Sequence, residues 1–200
     1  MKNLFSFILF AGLLIGKGYG QQQNDSISKS SNLILFAEAN FGYSYFSKDA
    51  FHSGLSLNFQ KGNDLLTFRF LQNDHIQKIE WFLIFPLSDE REQYTEYSVL
   101  YGKRFIKDDH AYHFSGGLSY NRLESNFGNL VSKSSFFGFP IGVGIHWFPS
   151  DKERFRLFGL IPVGKPTRFA RSTGIKLNAN IAKTSYIGVA FTLGLGFHKN

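Results

Sequence analysis

The 200-residue sequence contains no cysteine. That excludes a disulfide framework, a cysteine-type zinc site and a lipid-modified N-terminal cysteine. After residue 21 it has no apolar run long enough for a membrane helix. The longest, Trp81–Pro86 (WFLIFP), is far short of the roughly 20 residues a spanning helix needs. It also has no long run of one charge. Lysine and arginine total 22 against 15 acidic residues, a formal +7. The basic residues are scattered, and nucleic-acid binding would want them clustered on one face, so no nucleic acid is expected as a partner. Catalytic signatures are missing too: no G-x-S-x-G elbow and no H-E-x-x-H zinc motif. No cofactor or metal is expected.

What is present begins with an export signal. Lys2 supplies a positive start, Leu4 to Ile15 (LFSFILFAGLLI) an apolar stretch, and Gly18-Tyr19-Gly20 small residues where a signal peptidase cuts. The apolar stretch is too short to serve as a membrane anchor. Residues 1–20 therefore read as a signal peptide cleaved before Gln21. The glycines of a G-x-G-x-G at 16–20 fall inside it and carry no phosphate-binding meaning. Residues 21–32 (QQQNDSISKSSN) are polar and aperiodic and read as a flexible mature N-terminus. Removing Lys2 and Lys17 from the 22 leaves 20 basic residues against 15 acidic, a net charge of +5. An exported basic chain suits anionic lipid head groups better than nucleic acid.

Phe, Trp and Tyr make up 18% of the chain, with 24 phenylalanines, more rings than a soluble domain of this size buries easily. From residue 33 onward the dominant pattern is period-two alternation. It is clearest in Tyr186–Phe197 (YIGVAFTLGLGF). One face carries Ile187, Val189, Phe191, Leu193, Leu195 and Phe197; the other carries Tyr186, Gly188, Ala190, Thr192, Gly194 and Gly196. One side is bulky and apolar throughout, and the other is small or polar without the charges of a solvated face. Seven further segments alternate in the same way: Leu35–Tyr45, Phe51–Phe59, Leu66–Phe70, Thr95–Tyr101, Tyr112–Asn121, Phe137–Trp147 and Ile175–Asn180. Eight strands of this kind predict a closed antiparallel transmembrane β-barrel over residues 33–198. Ten strands is the alternative if Phe155–Val163 pairs into the wall, which Pro162 argues against. Residues 149–171 then form a long connection with a hairpin of their own. Lys61–Asp64 and Ile106–His110 read as short turns, and 73–93 and 123–135 as long loops on the other side. Trp81–Pro86 reads as an extension of the strands flanking it, with an exposed contact patch as the other reading.

Glu38, Arg69, Glu96 and Arg104 fall on faces predicted to line the lumen, as do His113 and His146. Internal ion pairing that fills a narrow barrel is the favoured reading of the charges, because unpaired charges there are costly. A pore lining or ligand site is the competing one. Ser115 beside His113 is the nearest approach to a nucleophile and base, an arrangement that alternating lumen faces produce by chance.

The stretches Leu65–Leu71 (LLTFRFL), Glu96–Phe105 (EYSVLYGKRF), Gly138–Pro149 (GFPIGVGIHWFP) and Thr173–Phe197 resemble the small outer-membrane β-barrel proteins of Gram-negative bacteria, in the OmpA/OmpX-like size class. The resemblance implies placement in the cell outer membrane. Its expected partners are outer-membrane lipid and, during insertion, the barrel assembly machinery. That machinery reads an aromatic residue ending the last strand, here Phe197, although His198-Lys199-Asn200 follow it. An envelope protein partner through loop 74–92 is a further expectation. No catalytic residue is implied. Three readings of function stay open: a structural, adhesive or partner-binding barrel, a lipid-modifying barrel enzyme, and a secreted lipocalin-like barrel.

Overall fold

The computed structural model describes residues 33–76, 80–82, 85–87, 90–127, 130–149, 153–157, 161–167 and 169–198. The expected signal peptide and the 21–32 segment lie outside them. Twelve strands occur in this part of the chain: β1 (Ile34–Phe46), β2 (Lys48–Lys61), β3 (Asp64–Ile76), β4 (Glu80–Phe82), β5 (Phe85–Leu87), β6 (Glu90–Ile106), β7 (His110–Phe127), β8 (Leu130–Trp147), β9 (Glu153–Leu157), β10 (Ile161–Thr167), β11 (Phe169–Ala182) and β12 (Tyr186–Phe197). Eight of them close a barrel in the order β1-β12-β11-β8-β7-β6-β3-β2, every pair antiparallel. β1 and β12 make the seam, from Phe36 opposite Gly196 to Tyr45 opposite Ile187. Closure leaves the barrel wall no free edge at membrane depth, which a lipid environment demands.

Alternation dictates the two surfaces. In β12 the residues from Tyr186 to Gly196 that share its parity are buried, and those between them are exposed. The wall strands run from 12 to 18 residues, longer than the roughly 9–11 a tilted membrane strand requires. The surplus is concentrated in β6, β7 and β8, which rise past their neighbours at one end.

The two ends differ. The terminal end holds Ile34 and Phe197, the β2–β3 turn at Gly62-Asn63, the β6–β7 turn at 107–109 and the β8–β11 connection. The opposite end, the rim, holds a one-residue turn at Ser47, the 183–185 turn, the β3–β6 connection and the β7–β8 tip. Gly62 takes φ 61°, and Ser47 takes the same value without glycine's freedom. Ser47 is accommodated because Phe46 and Lys48 pair directly across it.

Three expectations are corrected here. Residues 123–135 are not a loop. β7 and β8 stay paired out to Phe127 and Leu130, and beyond Gly138 the far edge of β8 has no β11 partner. Trp81–Pro86 does not extend β3 and β6. It contributes to a separate two-stranded sheet, β4–β5, with Trp81 opposite Pro86. Long and short connections also do not segregate by side, because the 149–168 connection lies at the same end as the 62–63 and 107–109 turns. Its β9–β10 hairpin stays out of the wall, so the barrel has eight strands and not ten.

Candidate functional site

The lumen is the only place where the barrel gathers polar side chains from several strands among the described residues. Each such residue faces inward because its sequence neighbours face outward. The six residues singled out from sequence, Glu38, Arg69, Glu96, Arg104, His113 and His146, are all buried there. They form three distinct settings.

The first is centred on Glu96. Arg69 donates to Glu96 Oε1 from Nη2 (2.7 Å) and Nε (3.0 Å), and from Nη1 to Asn178 Oδ1 (2.7 Å). Ser98 Oγ adds 2.6 Å to Oε1, while Asn180 Nδ2 (2.7 Å) and the Tyr186 hydroxyl (2.8 Å) donate to Oε2. Two oxygens thus accept five donors, which is how a buried carboxylate is made tolerable. The second is centred on Glu38. Lys176 pairs with Oε2, Asn58 Nδ2 donates to it at 2.9 Å, and Thr67 donates to Asn58 Oδ1 at 2.7 Å. His146 Nδ1 lies 3.0 Å from Glu38 Oε1, too poorly aligned for a hydrogen bond. The His113 ring is 5.0 Å from that of His146. Gly144 makes room for this group, since a methyl there would stand 2.7 Å from His113 Cε1 and 2.8 Å from Lys176 Cγ.

Arg104 departs from the expected ion pairing. It donates to Gln60 Oε1 (2.6 Å) and the His198 carbonyl (3.1 Å), and its guanidinium lies over the rings of Phe36 (4.7 Å) and Phe148 (5.5 Å). No carboxylate among the described residues bonds it. A cation held by ring faces and carbonyls needs no counter-ion in contact.

Several members were not singled out from sequence. Lys176 stands between Ile175 and Leu177, so its lumen position was readable as a charged residue inside an alternating strand. His198 follows the last strand yet is buried, stacked on Phe148 and tilted against Phe36. His52, on the inward face that the alternation of its strand assigns it, also joins the network. Asn178 Nδ2 donates to its Nε2 (3.2 Å), so Nδ1 carries the proton and donates to Asn73 Oδ1 (2.7 Å).

The polar zone is shut at both ends by apolar side chains that the "small or polar" lumen face did not foretell. Phe46, Ala50, Leu71, Tyr94 and Tyr186 form the rim plug, with Leu123 and Phe136 packed against it. Ile34, Phe36 and Leu65, with Ile106, form the terminal plug. Between them remains a void of about 10 Å³ beside His113 and Ser115, room for about one water. Ser115 and His113 share no hydrogen bond, and no group of three metal-ligating side chains occurs among the described residues. At the terminal end, the hydrogen bond from His110 holds the exposed Asp109 carboxyl below the usual carboxylate range.

Outside, leucine, valine, isoleucine and phenylalanine form a continuous exposed belt, including Leu55, Phe68, Val99, Phe114, Val143, Leu177, Phe191 and Leu193. Tyr43 and Tyr45 border it near the rim, and Tyr112 and Trp147 near the terminal end. A shallow outer groove of about 920 Å³ is floored by Ala37 and Ala39 and walled by Leu55, Phe68 and Leu193.

No family model matches the sequence, and no curated protein is significantly similar to it. Solved structures are similar in fold. Neisserial surface protein A superimposes with a TM-score of 0.53 at 11% identity, over 82% of this chain and 97% of that one. The N-terminal β-barrel domain of Pseudomonas aeruginosa OprF gives 0.51 at 12%, over 83% and 100%. Ail, the attachment invasion locus protein of Yersinia pestis, gives 0.53 at 10%, over 83% and 98%. The chain has the fold of the small eight-stranded outer-membrane barrels.

Proposed function

We propose that this chain is an outer-membrane barrel that conducts nothing and works through its outside, as a structural, adhesive or partner-binding protein. The observation that carries this is a lumen closed by two apolar plugs around a hydrogen-bonded polar network, inside a wall whose outer face carries an apolar belt. Eight strands leave an interior that side chains fill, and an exposed belt bordered by aromatic residues is what a bilayer selects. The belt also weighs against the soluble lipocalin-like reading. The enzyme reading lacks an assembled nucleophile and base, since Ser115 and His113 face the closed lumen rather than lipid.

On this reading residues 1–20 are removed on export, and mass spectrometry finds a mature chain beginning at or near Gln21. The assembly machinery inserts the barrel, and the 74–92 segment stands at the rim where an envelope partner reaches it. Ail has been crystallised with the heparin analogue sucrose octasulfate. Here residues 77–90 hold one basic and three acidic residues, so no anionic glycan is proposed for that segment.

The test is refolding the chain into lipid vesicles. The expected result is a heat-modifiable band on gels, tight association through carbonate washing, and no ion conductance across planar bilayers. Release by carbonate overturns the membrane reading, and steady single-channel currents overturn the sealed lumen.

A further inference from the structure

The rows of opposed residues do not ring the barrel on the level. Taken through β8, Thr173 is opposite Trp147, and Trp147 is opposite His110 at the foot of β7. Taken the other way, Thr173 is level with Leu193, Ala39, Leu55, Phe70 and Tyr97 in turn, and Tyr97 is opposite Tyr120. The two routes meet β7 at residues 110 and 120, so one circuit climbs ten residues toward the rim. Closing a tilted sheet requires such a stagger. Each row therefore winds up the outer wall from β11 to β7 as a diagonal.

The outer groove follows this diagonal. Arg171, one outward position below Thr173, heads the next row: it is opposite Leu195, Leu195 is opposite Ala37, and Ala37 is opposite Leu57. The row continues through Phe68 and Val99 to Leu118, and every member lines the groove of about 920 Å³. Ala37 and Ala39 sink its middle, because the leucines opposite them on β12 and β2 stand up on either side. Its two ends differ in chemistry. At the low end Arg171 is exposed, one outward position above Phe169, whose ring meets that of Phe197 edge-on. From Leu195 to Leu118 every side chain of the row is aliphatic or aromatic.

A cation at the terminal edge of the belt, opening into an apolar channel that rises along the wall, is complementary to an amphiphile with an anionic head and a hydrocarbon tail. A guanidinium pairs with a phosphate through two parallel hydrogen bonds. Its charge is costly on a lipid face at mid-membrane and tolerated near the interface. We propose that the groove is a binding site for one anionic phospholipid of the leaflet at the terminal end, its phosphate on Arg171 and one acyl chain laid over Ala37 and Ala39. The site presupposes the membrane reading above. It differs from the lipid coat of the rest of the belt in fixing a head group and recessing a tail.

The test uses the full chain, refolded into phosphatidylcholine vesicles, extracted in mild detergent and mixed with equal amounts of phosphatidylglycerol and phosphatidylcholine. Native mass spectrometry counts the lipid that stays bound. The expected result is one phosphatidylglycerol retained in preference to phosphatidylcholine. Arg171→Gln lowers its retention roughly fivefold, the effect of one basic residue at an anionic surface. Ala37→Leu with Ala39→Leu fills the recess and abolishes retention, while both variants stay heat-modifiable. Arg122→Gln, which removes an exposed arginine on the rim side of β7, leaves retention unchanged. Several lipids of both kinds retained alike, with no response to the Arg171 or alanine variants, mean an ordinary lipid coat and overturn the site. Displacement by equimolar glycerol phosphate, which has the head without the tail, reduces it to an anion contact and overturns it as well. A chain that retains no lipid, is dimeric in detergent and becomes monomeric in the alanine double variant assigns the recess to a second copy instead. If no heat-modifiable band forms and carbonate releases the chain from vesicles, it is the membrane reading that fails.

Discussion

Glu96 has more donors than any other lumen residue, and its removal isolates what the network contributes. Glu96→Ala leaves Arg69 buried without a carboxylate and strips acceptors from Ser98, Asn180 and Tyr186. Breaking a buried pair from one side costs about 3–5 kcal/mol, so urea unfolding in vesicles should show a loss of that size. The double variant Arg69→Met with Glu96→Leu removes both charges and should lose less than the two single changes added together. An additive pair would mean that the ion pair is incidental. The polar residues of the lumen were readable from sequence, because a charge flanked by two apolar neighbours in a strand faces inward. Their partners were not. Arg69 reaches Asn178 across the barrel, and such a contact depends on side-chain reach and strand stagger, which no local pattern encodes. Arg104 shows the limit most plainly: its charge suggested an ion pair, while its setting is two rings and two carbonyl oxygens.

At the level of the strand, β12 makes the sharpest prediction, since Thr192 is buried and Leu193 is 49% exposed. Leu193→Arg should cost roughly 2–4 kcal/mol of folding into bilayers if it sits near the midplane, while Leu193→Phe and Thr192→Ser should fold as wild type. Heat-modifiability after refolding reports each. Efficient folding of Leu193→Arg together with failure of Leu193→Phe would mean the faces are reversed. All eight wall strands were legible because lipid and lumen make opposite demands on adjacent side chains. Where the strands leave the belt those demands relax. In β7 the positions from Leu123 to Ser125 are all half-buried, without alternation, so a segment rich in Ser, Asn and Glu read as loop although its backbone stays paired. Trp81–Pro86 misled for the reverse reason, as an apolar run suggested continuity where the chain turns back on itself.

For the molecule as a whole, orientation follows from which end holds the chain termini. On the proposed export through a cleaved signal the N-terminus is delivered to the periplasm, and the terminal end then should face inward. In the cysteine-free chain, Lys183→Cys should react with an impermeant maleimide on intact cells and Asn63→Cys only after lysis; the reverse pattern would turn the barrel over. The interior network has one more consequence, for assembly. Its key contacts join residues distant in sequence: Arg69 to Glu96 across 27 positions, Tyr186 to Glu96 across 90, Arg69 to Asn178 across 109, and Lys176 to Glu38 across 138. A sheet holding only the first few strands would carry Glu38 into the bilayer without Lys176, the partner that arrives with β11. Half-built intermediates are therefore penalised in proportion to their depth in lipid, and loop-closure entropy is spent before these pairs can form. Assembly of this barrel is thereby pushed toward a single concerted event, in which zipping the β1–β12 seam and neutralising the interior charge are one step.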